Sequence, residues 1–225
     1  MIMLETPYID THTHHLNHSD GVISVINYSP EKFNQDEHAD YLISLGIHPW
    51  HVEKKNADLN LELVREFASN PSVMAIGEIG LDRAIKTPLS QQELFFTQQI
   101  EIAETYKKPI IIHAVRCFPE LISIKKRVKA STPWLIHGFR NNLQIAQELL
   151  KHNCYISFGE ALLFDRKNQD VFVDIPINRI FLETDESKHT IIEIYEKAAS
   201  LKKMKLADFK IALLKNYNTV FKKPI

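Results

Sequence analysis

Six short motifs set an imidazole or a carboxylate where an apolar run stops: Asp10-Thr11-His12-Thr13-His14, Gly46-Ile47-His48-Pro49, Gly77-Glu78-Ile79-Gly80, Ile112-His113, Ile136-His137 and Leu182-Glu183-Thr184-Asp185. Residues two apart on an extended chain project to one side, so His12 and His14 can reach a single ion. Such a pair is weak by itself in a chain with eleven histidines, where a hydrogen-bonded surface turn explains it equally well. His113 and His137 sharpen the reading. Each ends a run of buried character, where an unpartnered imidazole would cost roughly 1–3 kcal/mol. Glu78 follows Val73-Met74-Ala75-Ile76-Gly77, and an ionised carboxylate there needs a cation, either a metal or an arginine such as Arg116 or Arg140. At the last motif Asp185 is the better ligand candidate. Glu183 lies in the strand proper and suits packing or the support of a ligand.

Mixed imidazole and carboxylate donors suit Zn²⁺, Mn²⁺, Fe²⁺ or Co²⁺ better than an all-oxygen Mg²⁺ site, although availability can override affinity. Four histidines and two carboxylates exceed the needs of one tetrahedral ion. Two ions about 3.5–4 Å apart, bridged by one carboxylate and sharing a nucleophilic water, would use the whole set. The expected cofactor is therefore a divalent metal, one or two ions of Mg²⁺, Mn²⁺ or Zn²⁺, and the expected chemistry is hydrolysis.

Residues this far apart converge only if the fold gathers them. Pro109-Ile110-Ile111-Ile112 is too short for a buried helix and rich in β-branched residues, so it reads as a buried strand. The same holds for 8–10, 22–26, 41–45, 73–76, 134–136, 155–158 and 179–182. Helices are expected over 59–69, from a Thr87 cap and Pro88 to about 106, and over 118–128, 142–151, 190–201 and 206–217. Alternating strands and helices imply an α/β fold with a parallel sheet, a TIM-type (β/α) barrel whose strand carboxyl ends share the active face. The first third is reduced. Only a brief polar stretch separates His14 from Val22, and 29–40 offers no more than one turn at Pro30-Glu31-Lys32-Phe33. Four of the six glycines, Gly46, Gly77, Gly80 and Gly138, lie within two residues of a candidate ligand, as close backbone approach would require.

The 225 residues, 44% hydrophobic, suit one barrel domain over 1–225. A formal charge of -1 excludes a partner held by counterion release alone. Cys117 and Cys154 lack CxxC spacing and read as reduced thiols without a role, and the start Met1-Ile2-Met3-Leu4-Glu5 has no basic leader or long apolar run, so a cytoplasmic protein with no membrane contact is expected.

In combination and order, these motifs resemble the TatD-type metal-dependent deoxyribonucleases, a branch of the amidohydrolase-like barrels. The run from Gln91 to Gln99, Gly138-Phe139 and the terminal stretch from Asn216 to Phe221 join the resemblance, which covers nearly the whole chain. It implies that His12, His14 and Asp185 hold one ion and His113 and His137 the other, with Glu78 bridging. It also implies that Asp185 orients or deprotonates the attacking water and that His48 lies near the scissile group. Many related amidohydrolases bridge with a carboxylated lysine, and no lysine occupies a strand tip here. Family members usually carry a helix between the first two strands and a long loop after the last aspartate. This chain lacks room for the first and passes from Asp185 through Glu186-Ser187-Lys188-His189 straight to a helix. His113-Ala114-Val115-Arg116 is one residue longer than the family's histidine-x-arginine, and Gly138 and Arg140 replace its cysteine and serine. Arg116 or Arg140 can hold a phosphate as a forked donor or form a surface salt bridge.

The leading expectation is catalytic Asp185 and Glu78, with His48, Arg116 and Arg140 contacting substrate, in a hydrolase cleaving DNA ends or a small phosphodiester. No protein partner is implied. The same centre also suits an ester, lactone, amide or aminoacyl ester, and an inactive metal-binding barrel acting as an interaction protein is a third reading. His15, His18, His38, His51, His152 and His189 fall in polar stretches and read as solvated. The lysines between Lys202 and Lys223 read as a solvent face, and Phe95, Phe96, Phe118 and Phe172 as core.

Overall fold

Eight apolar runs hydrogen-bond in chain order, every pair parallel: β1 (Tyr8–Thr13), β2 (Val22–Tyr28), β3 (Leu42–Leu45), β4 (Val73–Asp82), β5 (Ile110–Val115), β6 (Trp134–Ile136), β7 (Cys154–Phe158) and β8 (Ile180–Leu182). This computed structural model describes residues 5–16, 19–53 and 55–222; Met1 to Leu4, His18 and Lys223, on which the sequence reading drew, lie outside the described residues. The chain forms the expected TIM-type barrel. At the carboxyl end β8 returns to β1 through a parallel bridge between Thr13 and Asp185. There the His14 N–H donates to the Asp185 carbonyl (3.1 Å) and the Asp185 N–H to the His12 carbonyl (2.9 Å).

Successive strand residues face opposite sides, which sorts the apolar side chains into two cores. Ile9, Val25, Ala75, Ile111, Leu135, Tyr155 and Phe181 fill the barrel. Ile110 and Ile112, one position either side of Ile111, belong to the outer core beneath the helices. These helices are α1 (Ala57–Phe67), α2 (Leu89–Tyr106), α3 (Phe118–Val128), α4 (Leu143–Lys151), α5 (Ala161–Phe164), α6 (Arg166–Asp174), α7 (Ile191–Leu201) and α8 (Leu206–Phe221). Tyr217, Val220 and Phe221 of α8 join the inner core, and Asn216 donates to the carbonyls of Ile177 and Ile180 at the amino end of β8. Thus α8 closes the end away from the imidazoles.

Several elements differ from expectation. β4 continues past Ile76 to Asp82, because its glycines let it press against β5: a Cβ on Gly77 would lie 2.7 Å from Ile111 Cβ, and one on Gly80, at φ +146, would strike the His113 carbonyl oxygen. Thr87 does not cap α2, which opens at Leu89; Gln92 instead reaches back to the Thr87 carbonyl (2.8 Å). α5 and α6 occupy a stretch where no helix was expected, started by Asp165 accepting the N–H groups of Lys167 and Asn168 and anchored by buried Phe172. The single turn at Pro30–Lys32 forms as expected, and no helix joins β1 to β2 among the described residues. His38, read as solvated, is buried; it stacks on Phe33 and accepts the Asn34 N–H (3.1 Å). Phe95, Phe96, Phe118 and Phe172 are core.

Candidate metal centre

Glu78 stands at the middle of the carboxyl face, and its two oxygens meet different imidazoles. Oε2 faces His12 Nε2 (3.5 Å) and His14 Nε2 (3.7 Å), which the end of β1 projects to one side. Oε1 faces His137 Nε2 (2.6 Å), His113 Nδ1 (2.9 Å) and His48 Nε2 (3.3 Å). Asp185 Oδ1 closes the first group, 3.6 Å from His12 and 3.4 Å from His14. Its backbone lies in the left-handed region at φ +54, which aspartate enters more readily than most residues.

Whether these donors fit a metal can be judged from His12. It is fully buried, and neither ring nitrogen has a hydrogen-bond partner. A native fold rarely leaves such groups unsatisfied. The 3.4–3.7 Å spacings around it exceed hydrogen-bond length. They match the separation of about 3.4 Å between two donors bound tetrahedrally at roughly 2.1 Å. The residues fit a divalent ion.

Behind the imidazoles lies a layer of partners, in which Glu183 takes the supporting place expected of it and Asp82 one that was not. Asp82 Oδ2 sits 3.3 Å from His113 Nε2 and accepts the Trp50 indole N–H (2.7 Å). Glu183, fully buried, accepts the Gly138 N–H (2.5 Å) and lies 3.4 Å from His137 Nδ1. Such outer carboxylates fix ring orientation in metal sites. On α2, Gln92 accepts the Asp82 N–H (2.7 Å) and Gln99 the Ile47 N–H (2.7 Å), and each returns a side-chain N–H to the same residue's carbonyl. Two buried glutamines seven apart on one helix were a legible signal, since such side chains demand partners. Asp10 of β1, also buried, accepts the Thr184 N–H (3.0 Å) and hydroxyl (2.6 Å) just after β8.

His48 differs from the other imidazoles. Its Nδ1 accepts the Trp50 backbone N–H (3.2 Å), so the neutral ring carries its proton on Nε2, the atom that faces Glu78. Burial pushes the His48 pKa down and keeps that neutral form. For Glu78, burial opposes ionisation, yet His137, His113 and His12 hold the carboxyl well below its usual range. Burial pushes Asp185 up against the attraction of His12 and His137, and the nearby charges of Glu183 and Glu78 add to the rise. The cysteines stay inert, with burial raising Cys117 to about 12 and Cys154 to about 11.

A cleft of about 580 Å³ holds His14, His48, Glu78, His113, His137 and Asp185 together with Asn27, Lys32 and Trp50. A second of about 400 Å³, lined by Gly138, Arg140, Glu183 and Lys188, shares Asp185 with it. Arg140 pairs with Glu160 (3.4 Å) there. Arg116 lines neither cleft; its exposed side chain follows a backbone at φ +54, and its carbonyl accepts from Arg83.

Comparison with known proteins gives these strand tips a lineage. A curated relative, the uncharacterized metal-dependent hydrolase YjjV of Escherichia coli K12, is 31% identical over 147 residues, 63% of this chain and 56% of the relative. The crystal structure of that TatD homologue superposes with a TM-score of 0.85 at 25% identity, covering 96% of this chain and 98% of the other. The human 3'-5' RNA nuclease TATDN2 is 29% identical over 149 residues, 63% of this chain and 19% of its own length. The chain thus spans little more than half the length of the first curated relative it matches. The family model of the TatD related DNases matches residues 9–222, from within the strand that carries His12 to just past the closing helix, and the chain belongs to that family.

Proposed function

We propose that the protein is a metal-dependent hydrolase that cleaves phosphodiester bonds of nucleic acid at strand ends or in short single strands. The observation that carries the reading is Glu78, one buried carboxylate whose two oxygens address two separate imidazole sets. His12, His14 and Asp185 would hold one divalent ion and His113 and His137 the other, with Glu78 between. Mg²⁺, Mn²⁺ and Zn²⁺ are the candidates. Family membership and the nuclease named among the relatives support a nucleic-acid substrate. The two free, buried cysteines support a reducing, cytoplasmic setting.

When bound, divalent ions neutralise phosphoryl charge and lower the pKa of water. The protein's side chains then have distinct tasks. Asp185, with 42% of its side chain exposed to the cleft and its pKa raised, takes the proton of the attacking water. The water oxygen bonds to phosphorus as the ester P–O bond opposite breaks, and the departing alkoxide takes a proton from solvent. His48 Nε2–H, on a ring kept neutral by burial, faces Glu78 Oε1 at 3.3 Å and can donate a hydrogen bond to a phosphoryl or leaving oxygen brought beside that carboxylate. Arg140 and Lys188, on the cleft beyond Asp185, can take a neighbouring phosphate.

The test is cleavage of an end-labelled single-stranded DNA oligonucleotide with Mg²⁺ or Mn²⁺, comparing the native protein with Glu78→Gln. Cleavage by the native protein and its loss in the variant are expected; cleavage retained by the variant would overturn the assignment of Glu78.

A further inference from the structure

Trp50 is exposed and yet hydrogen-bonded through both its ring and its backbone nitrogen. It is 59% exposed, yet its indole N–H is committed to Asp82, a carboxylate that is itself buried. Its backbone N–H is committed to His48 Nδ1 within the turn Pro49–His51. The ring stands edge-on to His48, with centroids 5.0 Å apart and planes at 88°, and lies 6.2 Å from His113. The ring is anchored through its indole nitrogen, while most of its surface stays exposed. It remains in the cleft that holds Glu78, His113 and Asp185. The same cleft carries Lys32, exposed and without an ion-pair partner among the described residues.

A rigid aromatic face beside a phosphate-cleaving centre, with a free ammonium nearby, is what a stacked nucleotide requires. Bases stack on such faces regardless of sequence, and a cation follows the backbone. We propose that Trp50 is the stacking platform for the nucleobase next to the scissile phosphate, with Lys32 taking the adjoining phosphate. Asp82 serves both sides: one oxygen fixes the indole that would hold the base and steadies the imidazole of His113. This rests on the reading of the site as a nucleic-acid phosphodiesterase.

Two measurements test it separately from that reading. The chain has two tryptophans, and Trp134 is 1% exposed, so quenching by a bound ligand reports Trp50. With Mg²⁺ present, deoxyadenosine monophosphate is expected to quench the fluorescence while base-less deoxyribose 5-phosphate does not, and Trp50→Ala is expected to abolish the effect. No quenching by the nucleotide would overturn the proposal, whether or not the protein cleaves DNA. The second compares a normal oligonucleotide with one whose residue beside the cleaved bond is abasic. Trp50→Ala is expected to lose about ten-fold or more in kcat/KM on the first and little on the second, with Trp50→Phe retaining most activity. Equal losses on both would mean that Trp50 acts through His113, and no loss on either would leave it a surface residue; each overturns the platform.

Discussion

Asn27 of β2 accepts the backbone N–H of Glu78 of β4 at 2.8 Å, reaching across β3, whose Ser44 donates to the same oxygen at 3.1 Å. Three strands therefore agree on where Glu78 stands. Asn27→Ala leaves that N–H without its partner in a part-buried setting, at a cost of about 1–3 kcal/mol. The variant is expected to bind Mn²⁺ or Zn²⁺ about 10- to 100-fold more weakly by calorimetric titration, as outer-layer losses do.

His48 lies close enough to Glu78 and His113 to share an ion with them, but the proton on its Nε2 makes it a donor toward Glu78 and outside the proposed ligand set. His48→Ala is expected to keep the native metal content, counted by elemental analysis after gel filtration, while kcat falls by about 10²-fold or more. A drop in metal content equal to that of His113→Ala would show His48 to be a ligand.

Fully buried His12, with neither nitrogen hydrogen-bonded, makes the folded state depend on what it binds. Stripping metal with EDTA is expected to lower Tm, and metal at 100 times Kd to restore about 2.7 kcal/mol. For a chain of this size that is roughly 5–10 °C by calorimetry. His12→Asn is expected to flatten the response.

Far from the centre, Glu104 of α2 accepts four hydrogen bonds, from the N–H and hydroxyl groups of Ser131 and Thr132 just before β6. Burial would raise its pKa, but these donors outweigh it and hold the carboxyl below its ordinary value of 4.5. A depressed folded pKa gives stability that is present above about pH 4.5 and is lost as pH falls through the folded value. Glu104→Gln is expected to cost about 1–3 kcal/mol at pH 7 in urea melts, with the gap to native narrowing below pH 4.5.

Strand ends were legible because chemistry and burial coincide there: a His after Ile-Ile-Ile, or a Glu after a run of buried type, has few bland explanations. The supporting layer was harder to read. Asp82 and Asn27 are short polar residues whose roles depend on partners supplied by other strands, and no local spacing announces that geometry. Arg116 shows the converse, a residue with fitting chemistry that lines neither cleft. The paired helices α5 and α6 were not legible because their apolar residues fall in two short clusters, 161–164 and 171–173, with a polar run between them and no helical period across the whole.

The bridge between Thr13 and Asp185 gives the barrel a seam, and the backbones that sew it are those of His12, His14 and Asp185 themselves. Unzipping that seam would carry the aspartate away from both imidazoles. With an ion held as proposed, its release and the opening of the ring would be one cooperative event, and the amide protons of His14 and Asp185 are expected to report occupancy, slow to exchange when the latch is loaded and faster when it is bare.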